Sequence, residues 1–160
     1  MQARLDLVAM PSLATNIKRL SSAGHLPDSL LPGATQELCR LRASQINGCG
    51  FCTDMHIKEA LAAGEDPQRL HLVAAWREAT CFTEAERAAL EFTEEGTRIA
   101  DAGEGVSEEV WLHASKHYDD DQLAALVSLV AMINAANRMN VIVRNPGGSY
   151  RPGMFADFVK

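Results

Sequence analysis

Hydrophobic and polar positions do not alternate for long anywhere in this chain, and runs of β-branched residues are scarce. Strands are therefore not expected. Ala, Leu, Glu and Arg dominate, the residues that lose least on entering a helix, so the pattern predicts an all-α fold. The first helix is expected over about 12–22, after Pro11, with Ser12 as its cap and Gly24 as its stop. "HLPDSLLPG" reads as a connector. A second helix spans about 33–46 with Leu38, Leu41 and Ile46 facing inward, and Asn47-Gly48 is a strong turn signal. A third runs from about 50 to 63 and stops at Gly64. Pro67 opens a fourth that continues to about Ala79. Thr83 with Glu86 forms a capping box for a helix to about 101, and Ser107 caps one to about 117. The longest and most apolar helix follows over about 120–140, behind Asp119, Asp120 and Asp121, where negative charge suits a helix N-terminus. From Asn145 onward Pro and Gly predict irregular chain, ending in Met154, Phe155 and Phe158, three apolar side chains that need a surface to dock on.

Composition narrows the class. A length of 160 residues with 47% hydrophobic content fits a single domain over residues 1–160 with one packed core. The formal net charge of -6, with no basic run, argues against a nucleic-acid partner. No segment approaches the roughly 20 apolar residues of a membrane span, and the N-terminal stretch lacks a long apolar core or a cleavage site. The chain reads as cytoplasmic, away from membranes. The long helix, apolar nearly all round in "LAALVSLVAMINAA", predicts either the centre of a domain or an interface. A homo-oligomer is expected, with active sites near subunit interfaces and the Phe155–Phe158 tail able to reach a neighbour.

The candidate chemistry lies in "NGCGFCTDMH" at residues 47–56. Cys49, Cys52 and His56 are spaced i, i+3 and i+7 and share one helix face. A Cys-x-x-Cys pair at a helix start lies within disulfide range, and the unpaired N–H groups there favour thiolate. A histidine beside a thiol takes its proton or stabilises its anion. Glu37 lies ten residues before the turn and His56 eight after it. In an antiparallel hairpin those positions reach similar depth, about 15 and 12 Å along their helices, so Glu37 can orient His56 or relay protons. On a partly apolar face such a carboxyl is expected to hold its proton more tightly. Zinc is the competing reading, with Cys39, Cys81 or His71 as a distant fourth ligand. It is opposed by the about 10 Å of helix axis between Cys49 and His56.

The other residues have plainer readings. Cys39 and Cys81 read as small buried hydrophobes. His25, His71, His113 and His117 read as solvated or capping groups. Asn134, Asn137 and Arg138 tie helices or subunits together, since buried polar groups must be paired.

Glu37, Cys49, Cys52 and His56, in the frame "ELCRLRASQINGCGFCTDMHIKEALAAGED", "AAWREATCFTEAERAALEFTE" and "INAANR", resemble the alkylhydroperoxidase D (AhpD) core motif of the carboxymuconolactone decarboxylase-like superfamily. The likeness extends over about residues 30–145. It implies a helical fold around a central hairpin, assembled as trimers or hexamers, and a thiol-dependent hydroperoxide or disulfide reductase. By the same resemblance Cys52 attacks the peroxide and Cys49 resolves it. His56 and Glu37 then form the proton relay, a lipoylated or thioredoxin-like protein supplies electrons, and no cofactor or metal is needed. Trp76 and Arg77 are placed near the site on the same ground. The decarboxylase branch typically lacks the cysteine pair, which leaves lactone chemistry as an alternative enzyme reading. A non-catalytic dithiol sensor is the alternative outside catalysis. Gly50 and Phe51, between the cysteines, supply no further proton-transfer group.

Overall fold

The structure, a computed structural model, describes residues 2–26, 28–103 and 105–156. Phe158 lies outside the described residues. The described residues form seven α-helices, in order: α1 (Pro11–Ala23), α2 (Gly33–Ile46), α3 (Gly50–Ala62), α4 (Pro67–Leu72), α5 (Glu84–Thr97), α6 (Glu108–Ala114) and α7 (Asp120–Val143). Among the described residues there is no strand.

Most termini follow from local chemistry. Cys49, Asp66, Thr83, Ser107 and Asp119 each cap a helix with their own side chain, and Thr83 and Asp119 complete capping boxes with Glu86 and Gln122. Gly48 turns the chain at φ 64°, in the left-handed region glycine enters without cost. Ser12 is not a cap: Pro11 already occupies the first helical position and Met10 stands before it without a side-chain hydrogen bond.

Other corrections have tertiary causes. The helix opened by Pro67 ends at Leu72 and tightens into a 3-10 stretch, Val73–Glu78, broken at Ala75. Arg87 reaches back and donates to the carbonyls of Trp76, Arg77 and Ala79 at 2.8–3.0 Å. Those carbonyls are thereby satisfied without an α-helical continuation. α6 stops at Ala114 because Ser115 Oγ bonds the Trp111 carbonyl and two short turns lead into the Asp119 cap. α5 ends at Thr97, whose hydroxyl accepts from Asn134. α7 is long and apolar enough to span a membrane by length and composition, contrary to the sequence expectation, yet 44% of its apolar window is buried within the protein.

α2 is the hub, packed against α3, α5 and α7. One part of the core joins α2, α5, α6 and α7 around Leu31, Cys39, Phe92, Leu126 and Leu129. A second joins α2 and α3 to the Pro67–Leu72 region through Leu38, Leu41, Leu70, Val73 and Trp76. A polar ladder locks the α2–α3 turn to α7. Asn47 Nδ2 donates to the side-chain oxygens of Asn134 and Asn137 at 2.9 Å each, and Asn137 Nδ2 donates to Ser44 Oγ. Asn137 is fully buried, so its removal takes one acceptor from Asn47 Nδ2 and the donor from Ser44 Oγ. Asn137→Ala is expected to lower the unfolding free energy by about 2 kcal/mol in urea titration. No measurable change would show that the turn does not depend on the ladder.

Candidate active site

The α2–α3 hairpin sets the site. Cys49 is the N-cap of α3, and its Sγ accepts a hydrogen bond from the Cys52 N–H at 3.3 Å. Cys52 lies in the first helical turn. The two Cα atoms are 5.4 Å apart and the sulfurs stand at disulfide distance. Both residues are buried, each 2% exposed.

His56 lies one turn beyond Cys52 and is 6% exposed. Its Nδ1 is 2.8 Å from Glu37 Oε2 on α2, the pairing expected across the hairpin. Glu37 Oε1 takes Arg40 Nη1 at 2.5 Å. Burial by itself pushes the Glu37 carboxyl up, but the His56 ring and the Arg40 guanidinium together outweigh it and hold the group at about 2. The proton-holding carboxyl expected from the sequence is therefore a carboxylate. A carboxylate only accepts, so Nδ1 carries the hydrogen and the Nε2 lone pair is left for chemistry in the neutral ring. Nε2 is buried with no hydrogen-bond partner among the described residues.

A cavity of about 1050 Å³ opens on this group. Cys52, His56 and Met55 from α3 form one wall, with Leu20 of α1 and Met132 and Ile133 of α7 among the others. Cys49 does not line it. Phe51, Tyr150 and Phe155 form an aromatic cluster, with ring centroids 5.8–6.1 Å apart, packed against the cysteine pair. Phe155 thus finds the docking surface that the sequence calls for, on the aromatic cluster beside the cysteine pair. The Tyr150 hydroxyl donates to Glu59, and burial followed by that carboxylate raises its pKa.

The chain matches the carboxymuconolactone decarboxylase family over residues 11–95, with the cysteine pair inside the match. It belongs to that family. The uncharacterized protein YdfG of Bacillus subtilis is 38% identical over 115 residues, covering 72% of this chain and 77% of that protein. A protein of unknown function from Agrobacterium tumefaciens, for which an AhpD antioxidant role has been suggested, has a solved structure that superposes with a TM-score of 0.84. It shares 31% identity over 93% of this chain and 100% of its own. An uncharacterized peroxidase-related protein from Ralstonia eutropha JMP134, described as an alkylhydroperoxidase AhpD core, gives a TM-score of 0.75 at 19% identity, over 96% of this chain and 76% of its own; at that identity the likeness is one of fold. The family member described here is AhpD-like in fold and carries the Cys-x-x-Cys pair expected of that branch.

The remaining candidates sort cleanly. Cys39 sits in the α2–α5–α7 core, where burial pushes its thiol up to about 12. Cys81 lies by the Pro67–Leu72 part of the core, and His71 is exposed. None of the three stands with the pair. His113 bonds Glu91 at 2.9 Å. Trp76 and Arg77 do not line the cavity; both serve buried Glu94, which also holds Arg42. Asn134 and Asn137 bridge helices, whereas Arg138 is exposed. Sequence reasoning missed Arg40 and Tyr150. The i, i+3 spacing of Glu37 and Arg40 was a usable signal for the first. Tyr150 lies in an irregular segment with no periodic signal at all.

Proposed function

We propose that this protein is a thiol-dependent hydroperoxide reductase that cycles through a Cys49–Cys52 disulfide. The observation that carries the reading is the line of Cys52, His56 and ionised Glu37 on one cavity wall, with Cys49 at disulfide distance behind it. His56 Nε2 takes the Cys52 proton and the thiolate attacks the terminal peroxide oxygen. The O–O bond breaks, the alkoxide takes a proton and leaves as the alcohol, and Cys52 becomes a sulfenic acid. The Cys49 thiolate, favoured by its N-cap position, then attacks the Cys52 sulfur. Hydroxide departs with a proton as water and the disulfide forms.

A dithiol donor, lipoylated or thioredoxin-like, restores the pair. One donor thiolate opens the disulfide to a mixed disulfide, and its second thiolate closes on the first, so two electrons enter and the donor leaves oxidised. The apolar walls supplied by Leu20, Met132, Ile133 and Met55 suit an organic hydroperoxide over hydrogen peroxide. Exposed Val127, Val141 and Ile142 on α7 support a homo-oligomer.

The test is consumption of cumene hydroperoxide with dithiothreitol as reductant. Wild type is expected to turn over many times. Glu37→Gln keeps the shape and removes the charge that fixes the His56 tautomer, and its kcat/KM is expected to fall roughly 100-fold with an unchanged circular dichroism spectrum. Oxidation of the pair without multiple turnovers in wild type would replace catalysis with sensing. Full activity in Glu37→Gln would remove the relay.

A further inference from the structure

Both sulfurs of the pair are buried, although the cycle requires a donor sulfur to meet one of them in line. The cavity offers a route to Cys52 for a small thiol. It offers none for a cysteine carried on a folded protein, whose own surface must come within bonding distance. Among the described residues, the segment 146–156 lies across the helix-start side: it leaves the left-handed C-cap of α7 at Arg144 and crosses the first turn of α3.

The crossing is close and specific. A Cβ on Gly147 would sit 2.5 Å from the Gly50 carbonyl oxygen, between the two cysteines in sequence. Three α3 side chains then hold the segment. Asp54 accepts from the N–H groups of Gly148 and Tyr150 at 2.8 and 3.2 Å. Lys58, itself paired with Asp54 at 2.8 Å, donates to the carbonyls of the same two residues. Glu59 accepts from the Gly153 N–H at 2.9 Å and from the Tyr150 hydroxyl. The Tyr150 ring lies edge-on to Phe51 in the buried cluster that also holds the two cysteines. These ties are a few charge-assisted hydrogen bonds to one helix plus one aromatic cluster, while the segment itself has only short turns of its own. Such a segment opens locally at far lower cost than the domain unfolds.

We propose that residues 146–156 are a strap that must lift from α3 before a protein dithiol reaches the Cys49–Cys52 disulfide, so that the strap selects the electron donor by size. The proposal rests on the reductase reading above. With the strap down, a small dithiol enters through the cavity and a protein donor is excluded. With the strap up, the protein donor's thiolate attacks one sulfur of the pair and the other leaves as thiolate. The donor's second thiol then completes the two-electron exchange. Reduction by the protein donor is thus proportional to the open fraction, and reduction by the small one is not.

The experiment compares reduction of the oxidised full-length protein by dithiothreitol and by a reduced thioredoxin, at matched thiol concentration. Remaining disulfide is counted by quenched alkylation and mass spectrometry. Asp54→Ala removes the acceptor of two strap amides, and Gly147→Ala forces the strap away from Gly50. Two variants are used so that a folding defect in one, read by circular dichroism, leaves the other to decide. In each, the thioredoxin rate is expected to rise at least about tenfold, the factor for losing a single charge-assisted hydrogen bond from the closed state. The dithiothreitol rate is expected to stay within about twofold. A thioredoxin-to-dithiothreitol ratio equal to wild type in both variants overturns the strap and leaves the reductase cycle standing. Failure of wild type to form any reducible disulfide overturns the cycle itself, and the strap with it.

Discussion

Cys52→Ser is expected to abolish peroxide consumption outright, while pre-reduced Cys49→Ser, assayed with no added thiol, is expected to consume one equivalent and stop. The asymmetry comes from the position of the two residues. Cys52 lines the cavity beside His56, and Cys49 does not line it at all. A hydroperoxide entering the cavity therefore meets the Cys52 sulfur first. Without Cys49 the sulfenic acid on Cys52 has no neighbouring thiol to condense with, because Cys39 is fully buried in another part of the core and Cys81 lies near Phe82. The Cys49→Ser protein should hold a dimedone-reactive sulfenic acid after one exposure to peroxide, visible by mass. Serine at position 52 has no thiolate to offer, and general-base help does not restore a nucleophile of that strength. A burst in Cys52→Ser with none in Cys49→Ser would exchange the two roles. Equal, sustained activity in both would end the dithiol mechanism.

The second large effect lies away from the cavity. Glu94 is 4% exposed and accepts from Arg42 Nε at 2.6 Å, Trp76 Nε1 at 2.9 Å and Arg77 Nη1 at 2.5 Å. It joins α2, the 3-10 stretch and α5 in one ion-pair cluster, in which Glu94 and Arg42 are largely buried and Arg77 is half-exposed. Glu94→Ala leaves the largely buried Arg42 charge and the Trp76 N–H without their acceptor, and breaking a buried pair in this way costs about 3–5 kcal/mol. Urea unfolding is the measurement, and a loss below about 1 kcal/mol would show that water replaces the carboxylate.

The pH dependence follows from the same residue. Burial raises the Glu94 carboxyl, but the hydrogen bonds from Arg77, Trp76 and Arg42 outweigh it and leave it lowered. A lowered folded value means that the stabilisation is complete above the unfolded carboxylate range and is lost as pH falls through the folded one. Wild type is therefore expected to lose stability in acid more steeply than Glu94→Ala. Glu37, held at about 2, adds acid sensitivity in the same sense to both proteins, so the difference between them reports Glu94.

The sequence by itself determined the helical class, the limits of α2 and α3, and the alignment of Cys49, Cys52 and His56. These depend on signals within a few residues of each other: Pro32-Gly33, Asn47-Gly48 and Gly64 as punctuation, and the helical repeat for the shared face. It also placed Glu37 opposite His56, since the depth of two positions in a hairpin is set by counting residues from the turn. The tertiary structure decided the rest. The helix expected to reach Ala79 became a 3-10 stretch because Arg87, from a later helix, captures its carbonyls. The charge of Glu37 turned on Arg40 and His56 approaching it together, which hydrophobic patterning does not record. Tyr150 joined the cluster around the cysteine pair, and Trp76 and Arg77 reached Glu94, through contacts between distant parts of the chain. Local preference weighs only neighbours along the backbone, so the partners that fix a proton, end a helix or cover a disulfide emerge only once the helices have packed.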